Sequence, residues 1–245
     1  MEDKLTISAL QQMKRDGRKI VGVVAWDTEM ARIADRAGVD LVSVGDSVGV
    51  NLWGHATDTE VTVDEMLICC KAVRRGTKRA LVSCDIPYGP THAGPDAAVA
   101  AALRLSKEGG ADMVKVLGDP GVVKALVRAG VPVFAEFHGE NLPVEKLVEE
   151  AKRLKDAGAS ILDFRHSGPV AGPAVVRAVS IPVIGGLGGG PWLDGRVRLA
   201  HTAIGYAAKW IDAETETYGN AARLSLEAFR ALIDDVRSGR QIRGG

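Results

Sequence analysis

The chain has 245 residues, 46% of them hydrophobic and 25% charged, with 31 Lys plus Arg against 31 Asp plus Glu. That usage excludes a disordered or low-complexity chain, and zero formal net charge leaves no overall field to attract a phosphate backbone, so nucleic acid is not expected as a partner. The length suits one large domain of the size usual for an α/β barrel, about 250 residues.

The opening stretch, MEDKLTISALQQMKRDGRK (1–19), is polar and charged, without the apolar core of a signal peptide. No window reaches about 18 uninterrupted apolar residues, so the expectation is a cytoplasmic protein with no membrane partner. Three cysteines, Cys69, Cys70 and Cys84, form neither a disulfide framework nor a CxxC metal pair.

From residue 19 onward, short and nearly continuous apolar runs recur: 19–26, 41–46, 80–85, 113–118, 131–137, 160–165, 181–186 and 202–207. Such runs are expected of strands buried on both faces of a parallel sheet. Four are introduced by one phrase, RAGVD (36–40), EGGAD (108–112), RAGVP (128–132) and DAGAS (156–160). A helix stopped by glycine and followed at once by a strand is the αβ junction of a parallel sheet.

Helical patterns lie between the runs, at 28–38, 63–76, 95–110 and 143–158, and a last amphipathic helix is expected within 219–242. In the fourth, Val144, Leu147, Val148, Ala151 and Leu154 share one face, with Asn141 as candidate N-cap and Pro143 just inside. Eight strands alternating with helices and no linker predict one α/β domain over 1–245, a (β/α)8 TIM barrel with a C-terminal helix. A doubly wound open sheet is the alternative.

In both architectures chemistry belongs at the carboxyl ends of the strands. Those ends carry Asp27, Asp46, Asp85, Asp119, Glu136 and His138, then Asp163, Arg165 and His166, and finally the run GGLGGG (185–190). Asp46 and Asp85 on neighbouring strands would repel one another unless a cation lay between them, and oxygen ligands suit Mg2+, Mn2+ or another divalent ion. Helix capping is the other use for both. Lys115, within MVKVL, is placed to bind an anionic substrate, stabilise an enolate, form a Schiff base or pair with a neighbouring Asp.

The segments VSVGDSVGVNLWGHATDTEVTVDEMLICCKAVRRG (42–76), LVSCDIPYG (81–89), GGADMVKVLG (109–118) and IPVIGGLGGG (181–190) resemble the ketopantoate hydroxymethyltransferase family, of the phosphoenolpyruvate/pyruvate barrel superfamily. The resemblance implies a (β/α)8 barrel that transfers a one-carbon unit from methylenetetrahydrofolate to a small-molecule 2-oxo acid. It implies Asp46 and Asp85 as ligands of Mg2+, Ser47 and Lys115 as the groups that bind the oxo-acid carboxylate, and a homo-oligomer. Where the family carries a glutamate after its fourth strand motif this chain has Leu117, and where it carries a glutamate base on strand six it has Arg165. The family's histidine after strand five corresponds to Glu136 without a gap, or to His138 with two inserted residues.

Glu136, His138, Arg165 and His166 are therefore the expected catalytic candidates. Arg165 is open to two uses: to clamp a second carboxylate, phosphonate or phosphate, or to pair with Glu136 or Asp163 across the barrel top. The resulting expectation is metal-dependent carbon–carbon bond formation on a 2-oxo acid through an enolate. A lyase or mutase of the isocitrate lyase or phosphoenolpyruvate mutase kind, acting on a dianionic 2-oxo acid, is the alternative, and a barrel serving only as a scaffold is a third.

Overall fold

A computed structural model describes residues 3–140, 142–186, 189–213, 217–242 and 244. Residues 1–198 and 199–245 form two compact units. In the first, eight parallel strands close into a barrel in sequential order. They are β1 (Ile20–Val24), β2 (Leu41–Val44), β3 (Leu81–Asp85), β4 (Met113–Leu117), β5 (Val133–His138), β6 (Ile161–Arg165), β7 (Val183–Gly185) and β8 (Gly195–Leu199). The helices are α1 (Ile7–Arg15), α2 (Thr28–Ala37), α3 (Val63–Gly76), α4 (Tyr88–Ala93), α5 (Pro95–Lys107), α6 (Pro120–Arg128), α7 (Val144–Asp156) and α8 (Ala171–Ala178).

The four glycine-marked junctions behave as expected: Gly38, Gly110, Gly130 and Gly158 all take positive φ, where a β-carbon would be crowded. α3 starts in a capping box, in which Thr62 Oγ1 accepts the Glu65 amide and Glu65 Oε2 accepts the Thr62 amide. α7 buries Leu147, Ala151 and Leu154 on the face the periodicity marks. Pro143 stands at its N-cap rather than inside it, and Asn141 lies outside the described residues.

Two expectations are corrected. The eighth strand is Gly195–Leu199, and the expected run 202–207 starts inside a short helix, α9 (Ala200–Ala203). Strand β8 escapes an apolar-run reading because it alternates: Val197 is buried while Arg196 and Arg198 are exposed. The opening stretch, to which no element was assigned, holds α1, capped by Thr6, whose side chain accepts the Ala9 amide at 3.1 Å.

That helix positions everything above it. Each strand sends one apolar side chain into a basal layer, namely Ile20, Leu41, Leu81, Met113, Phe134, Ile161, Ile184 and Val197, and Leu10 and Met13 of α1 pack against it. Completely buried side chains of this size each contribute about 1.5–3 kcal/mol by burial, so the amino-terminal end is a packed floor. Directly above, Ser83 Oγ meets Ser43 Oγ at 2.8 Å, both buried. Polarity inside the barrel therefore begins one step along the strands and rises toward their carboxyl ends.

The second unit holds α9 and the expected C-terminal helix, α10 (Ala221–Arg237), whose first turn is capped by Asn220 through the Arg223 amide at 2.9 Å. Among the described residues no helix is long and apolar enough to cross a membrane.

Candidate active site

The strand-end acids divide into two sets. Asp27 and Asp119 are helix caps: Asp27 accepts the Met30 amide at the start of α2, and Asp119 accepts the Gly121 and Val122 amides at the start of α6. Asp85, Glu136 and Asp163 instead converge on Lys115. Register brings them together, since Asp85 pairs with Lys115 across β3–β4 and Glu136 with Asp163 across β5–β6. Side chains two apart on a strand share a face, so the inward series of β4, β5 and β6 stack as Met113–Lys115–Leu117, Phe134–Glu136–His138 and Ile161–Asp163–Arg165.

Lys115 Nζ hydrogen-bonds Glu136 Oε2 and stands 3.3 Å from Asp163 Oδ2 and 3.8 Å from Asp85 Oδ2. Burial would lower the Lys115 pKa, but Asp85, Asp163 and Glu136 together raise it, so the ammonium is a permanent cation. Glu136 is the most heavily engaged carboxylate: besides Lys115 it takes Arg165 Nη1 at 2.8 Å and His138 Nε2 at 2.9 Å, both on Oε1. Burial would push its carboxyl up, but Lys115 and Arg165 outweigh that and hold it at about 2.

Asp85 has the opposite balance. Burial, only partly offset by Lys115 and reinforced by Asp46, Glu136 and Asp163, pushes its carboxyl up to about 8. Burial likewise raises Asp163 and Asp46 against the opposing pull of Lys115. A methyl group placed on Gly45 would lie 3.7 Å from Asp85 Oδ2 and 3.1 Å from Ser47 Oγ, so Asp85 and Ser47 both reach the backbone that carries Asp46. Asp46, Ser47, Asp85, Lys115, Glu136, His138 and Arg165 thus occupy one end of one barrel.

His166 follows directly after β6, with Nδ1 3.3 Å from Glu140 Oε1 and its ring 6.5 Å from that of His138. It is the one described non-glycine residue at positive φ, +52°, a backbone strain of the kind that collects at functional sites. Asp163, read from sequence only as a neighbour of Arg165, is a full member of the cluster. It is 6% exposed, and Oδ1 accepts the Gly186 amide at 3.2 Å. Its position inside an inward-facing series, two residues before Arg165, was the available signal. Of GGLGGG, residues 187 and 188 lie outside the described residues.

The donor set suits a divalent cation. Asp46, Asp85, Glu136 and Asp163 face two permanent cations, Lys115 and Arg165, a surplus of two negative charges when all four are ionised. Asp85 Oδ1 is buried and accepts no hydrogen bond among the described residues, a costly state for a carboxylate without a cation. No group of three or more His, Cys, Asp or Glu among the described residues forms a metal cluster, so the candidate is a two-carboxylate site. Leu117 is 60% exposed and pairs in register with Glu136.

A closed eight-stranded barrel with its ionisable side chains gathered at the carboxyl ends of the strands defines a (β/α)8 barrel of the type that carries chemistry at that end. The family model described as ketopantoate hydroxymethyltransferase matches residues 4–139 and 138–241. The chain belongs to that family. It is 35% identical to the 3-methyl-2-oxobutanoate hydroxymethyltransferase of Cyanothece sp. over 96% of this chain and 97% of that one. It is also 35% identical to the enzyme of that name from Geobacillus kaustophilus, over 92% and 87%. Among solved structures the fold is similar to phosphonopyruvate hydrolase in complex with oxalate and Mg2+, with TM-score 0.65, 18% identity, and coverage of 96% of this chain and 88% of that one. It is also similar to 2,3-dimethylmalate lyase, with TM-score 0.63, 15% identity, and coverage of 95% and 87%.

Proposed function

We propose that this protein forms a carbon–carbon bond at the carbon beside the keto group of a small 2-oxo acid, by way of an enolate and with a divalent cation, in the manner of a hydroxymethyltransferase. The observation that carries the reading is the half-buried carboxylate pair Asp46 and Asp85 beside the permanent ammonium of Lys115, at the carboxyl-terminal end of a barrel whose relatives are named for such a transfer. Asp46 and Asp85 would hold Mg2+ or Mn2+. When bound, the ion supplies Lewis acidity toward the keto oxygen and charge balance for the enolate.

The chain's own groups have separate tasks. Lys115 and Ser47 bind the substrate carboxylate, Lys115 as a charge fixed in place by three acids. Glu136 is held ionised by Lys115 and Arg165 and orients its neighbours. The apolar floor excludes water from below, which strengthens every electrostatic contact above it. Methylenetetrahydrofolate as one-carbon donor, a cytoplasmic location and assembly of identical chains belong to the same reading and are supported by family membership.

One observation favours a second reading, a lyase or mutase on a dianionic 2-oxo acid. Arg165 replaces an acid by a guanidinium whose side chain is 31% exposed, a group suited to a second carboxylate or a phosphonate. One experiment addresses both. Under the first reading the protein with Mg2+ exchanges the C3 proton of 3-methyl-2-oxobutanoate into D2O with no one-carbon donor present. Release of pyruvate or glyoxylate from a larger acid identifies the second. A protein that binds neither Mg2+ nor oxo acid in calorimetry is a scaffold, and both readings then fail.

A further inference from the structure

His138 is the last residue of β5, and its side chain is 41% exposed above the buried cluster. Nε2 lies 2.9 Å from Oε1 of Glu136. Because Glu136 is held ionised by Lys115 on one oxygen and Arg165 on the other, it offers only lone pairs. The imidazole must therefore supply the hydrogen, which in the neutral ring fixes the proton on Nε2 and leaves Nδ1 with its lone pair. No hydrogen-bond donor among the described residues occupies Nδ1.

The other groups at the mouth are less suited to accept a proton. Arg165 and Lys115 are committed cations, and Glu136 is an ionised carboxylate already accepting three hydrogen bonds. Asp163 lies one layer deeper, tied to Gly186 and Lys115. His166 Nδ1 stands 3.3 Å from Glu140. A ring held by a carboxylate on one nitrogen and open on the other is the arrangement that general-base catalysis requires.

We infer that His138, through Nδ1, removes the proton from the carbon beside the keto group, with Glu136 as the positioning residue that fixes the ring and its tautomer. The inference rests on the oxo-acid reading above. In the step the C–H bond breaks, the proton passes to Nδ1, and the electron pair becomes the carbon–carbon double bond of the enolate. The ring becomes an imidazolium that still donates from Nε2 to Glu136. Four charged or titratable groups face the ring: Glu136 on β5, Arg165 on β6, His166 after β6, and Lys115 of β4 through the other Glu136 oxygen.

The test uses 3-methyl-2-oxobutanoate with Mg2+ in D2O, and oxalate as a non-reacting probe of binding. His138→Gln is expected to slow C3 exchange by about 10²–10⁴-fold while oxalate binding stays unchanged. Added imidazole is expected to restore part of the rate to His138→Gly, an effect that a merely structural role would not produce. Nitrogen NMR of the wild-type ring is expected to report the proton on Nε2. Near-normal exchange by His138→Gln, or a ring protonated on Nδ1 instead, overturns the inference and leaves the oxo-acid reading standing. A wild-type protein that binds oxalate yet exchanges nothing overturns both.

Discussion

Arg165 Nη1 lies 2.8 Å from Oε1 of Glu136, spanning the β5–β6 pair. Of the two uses open to this arginine from sequence, pairing with Glu136 is the one observed. Pairing occupies one nitrogen, and among the described residues no other Arg165 nitrogen makes a hydrogen bond, so the remaining edge of the guanidinium stays available at the mouth. Replacement of Arg165 by Met is expected to weaken binding of a dianionic acid such as oxaloacetate by about ten- to hundredfold, the value of one or two charge-assisted hydrogen bonds. Binding of 3-methyl-2-oxobutanoate should change little. Calorimetry with the two acids decides it, and equal losses for both would remove the clamp.

Asp85 makes stability depend on pH in a stated direction. Its folded-state carboxyl is pushed up to about 8, whereas an unfolded Asp loses its proton near pH 4. The folded state therefore holds a proton that the unfolded chain has released, and the associated stability is whole below about pH 4 and gone once the pH has climbed through 8. Asp85→Asn removes the dependence. In chelator, its unfolding free energy in urea should approach that of the wild type at pH 5 and exceed it increasingly up to pH 8, by a few kcal/mol at most. A difference that does not vary with pH would show that Asp85 is not a strained acid.

Metal binding gives a separate prediction. Asp85→Ala and Asp46→Ala should each abolish Mg2+ binding in calorimetry while the circular dichroism spectrum is unchanged, since neither side chain belongs to the basal layer. Retained affinity in both variants would place any cation elsewhere.

Barrel closure depends on a glycine. A β-carbon on Gly195 would lie 2.1 Å from the Ile20 carbonyl oxygen, which is backbone and cannot swing aside. Gly195→Ala is expected to destabilise the fold by about 1–3 kcal/mol through overpacking, and Leu10→Ala by about 2–5 kcal/mol through loss of a side chain buried in the floor. Urea denaturation measures both. A neutral Gly195→Ala would mean that β1 and β8 can part without cost.

Seven of the eight strands were legible because each is a short, nearly continuous apolar run, even β1, where Val21 is exposed. The eighth was not, because exposed Arg196 and Arg198 interrupt its apolar pattern. The amphipathic α1 was overlooked for a related reason: only Leu10 and Met13 of its nine residues are buried, too few to stand out from polar sequence. Residues at the site were legible one by one, since strand ends can be found from apolar runs. Their partnerships were not. That Glu136 joins Lys115, His138 and Arg165, while Asp27 and Asp119 serve as caps, depends on register between strands and on which face each side chain takes, and neither is written in spacing along the chain.

The stopper formed by α1 beneath the basal layer has a kinetic corollary. With the lower end plugged by Leu10 and Met13, a small molecule reacting at the strand ends is expected to enter and leave on the carboxyl-terminal side of the barrel.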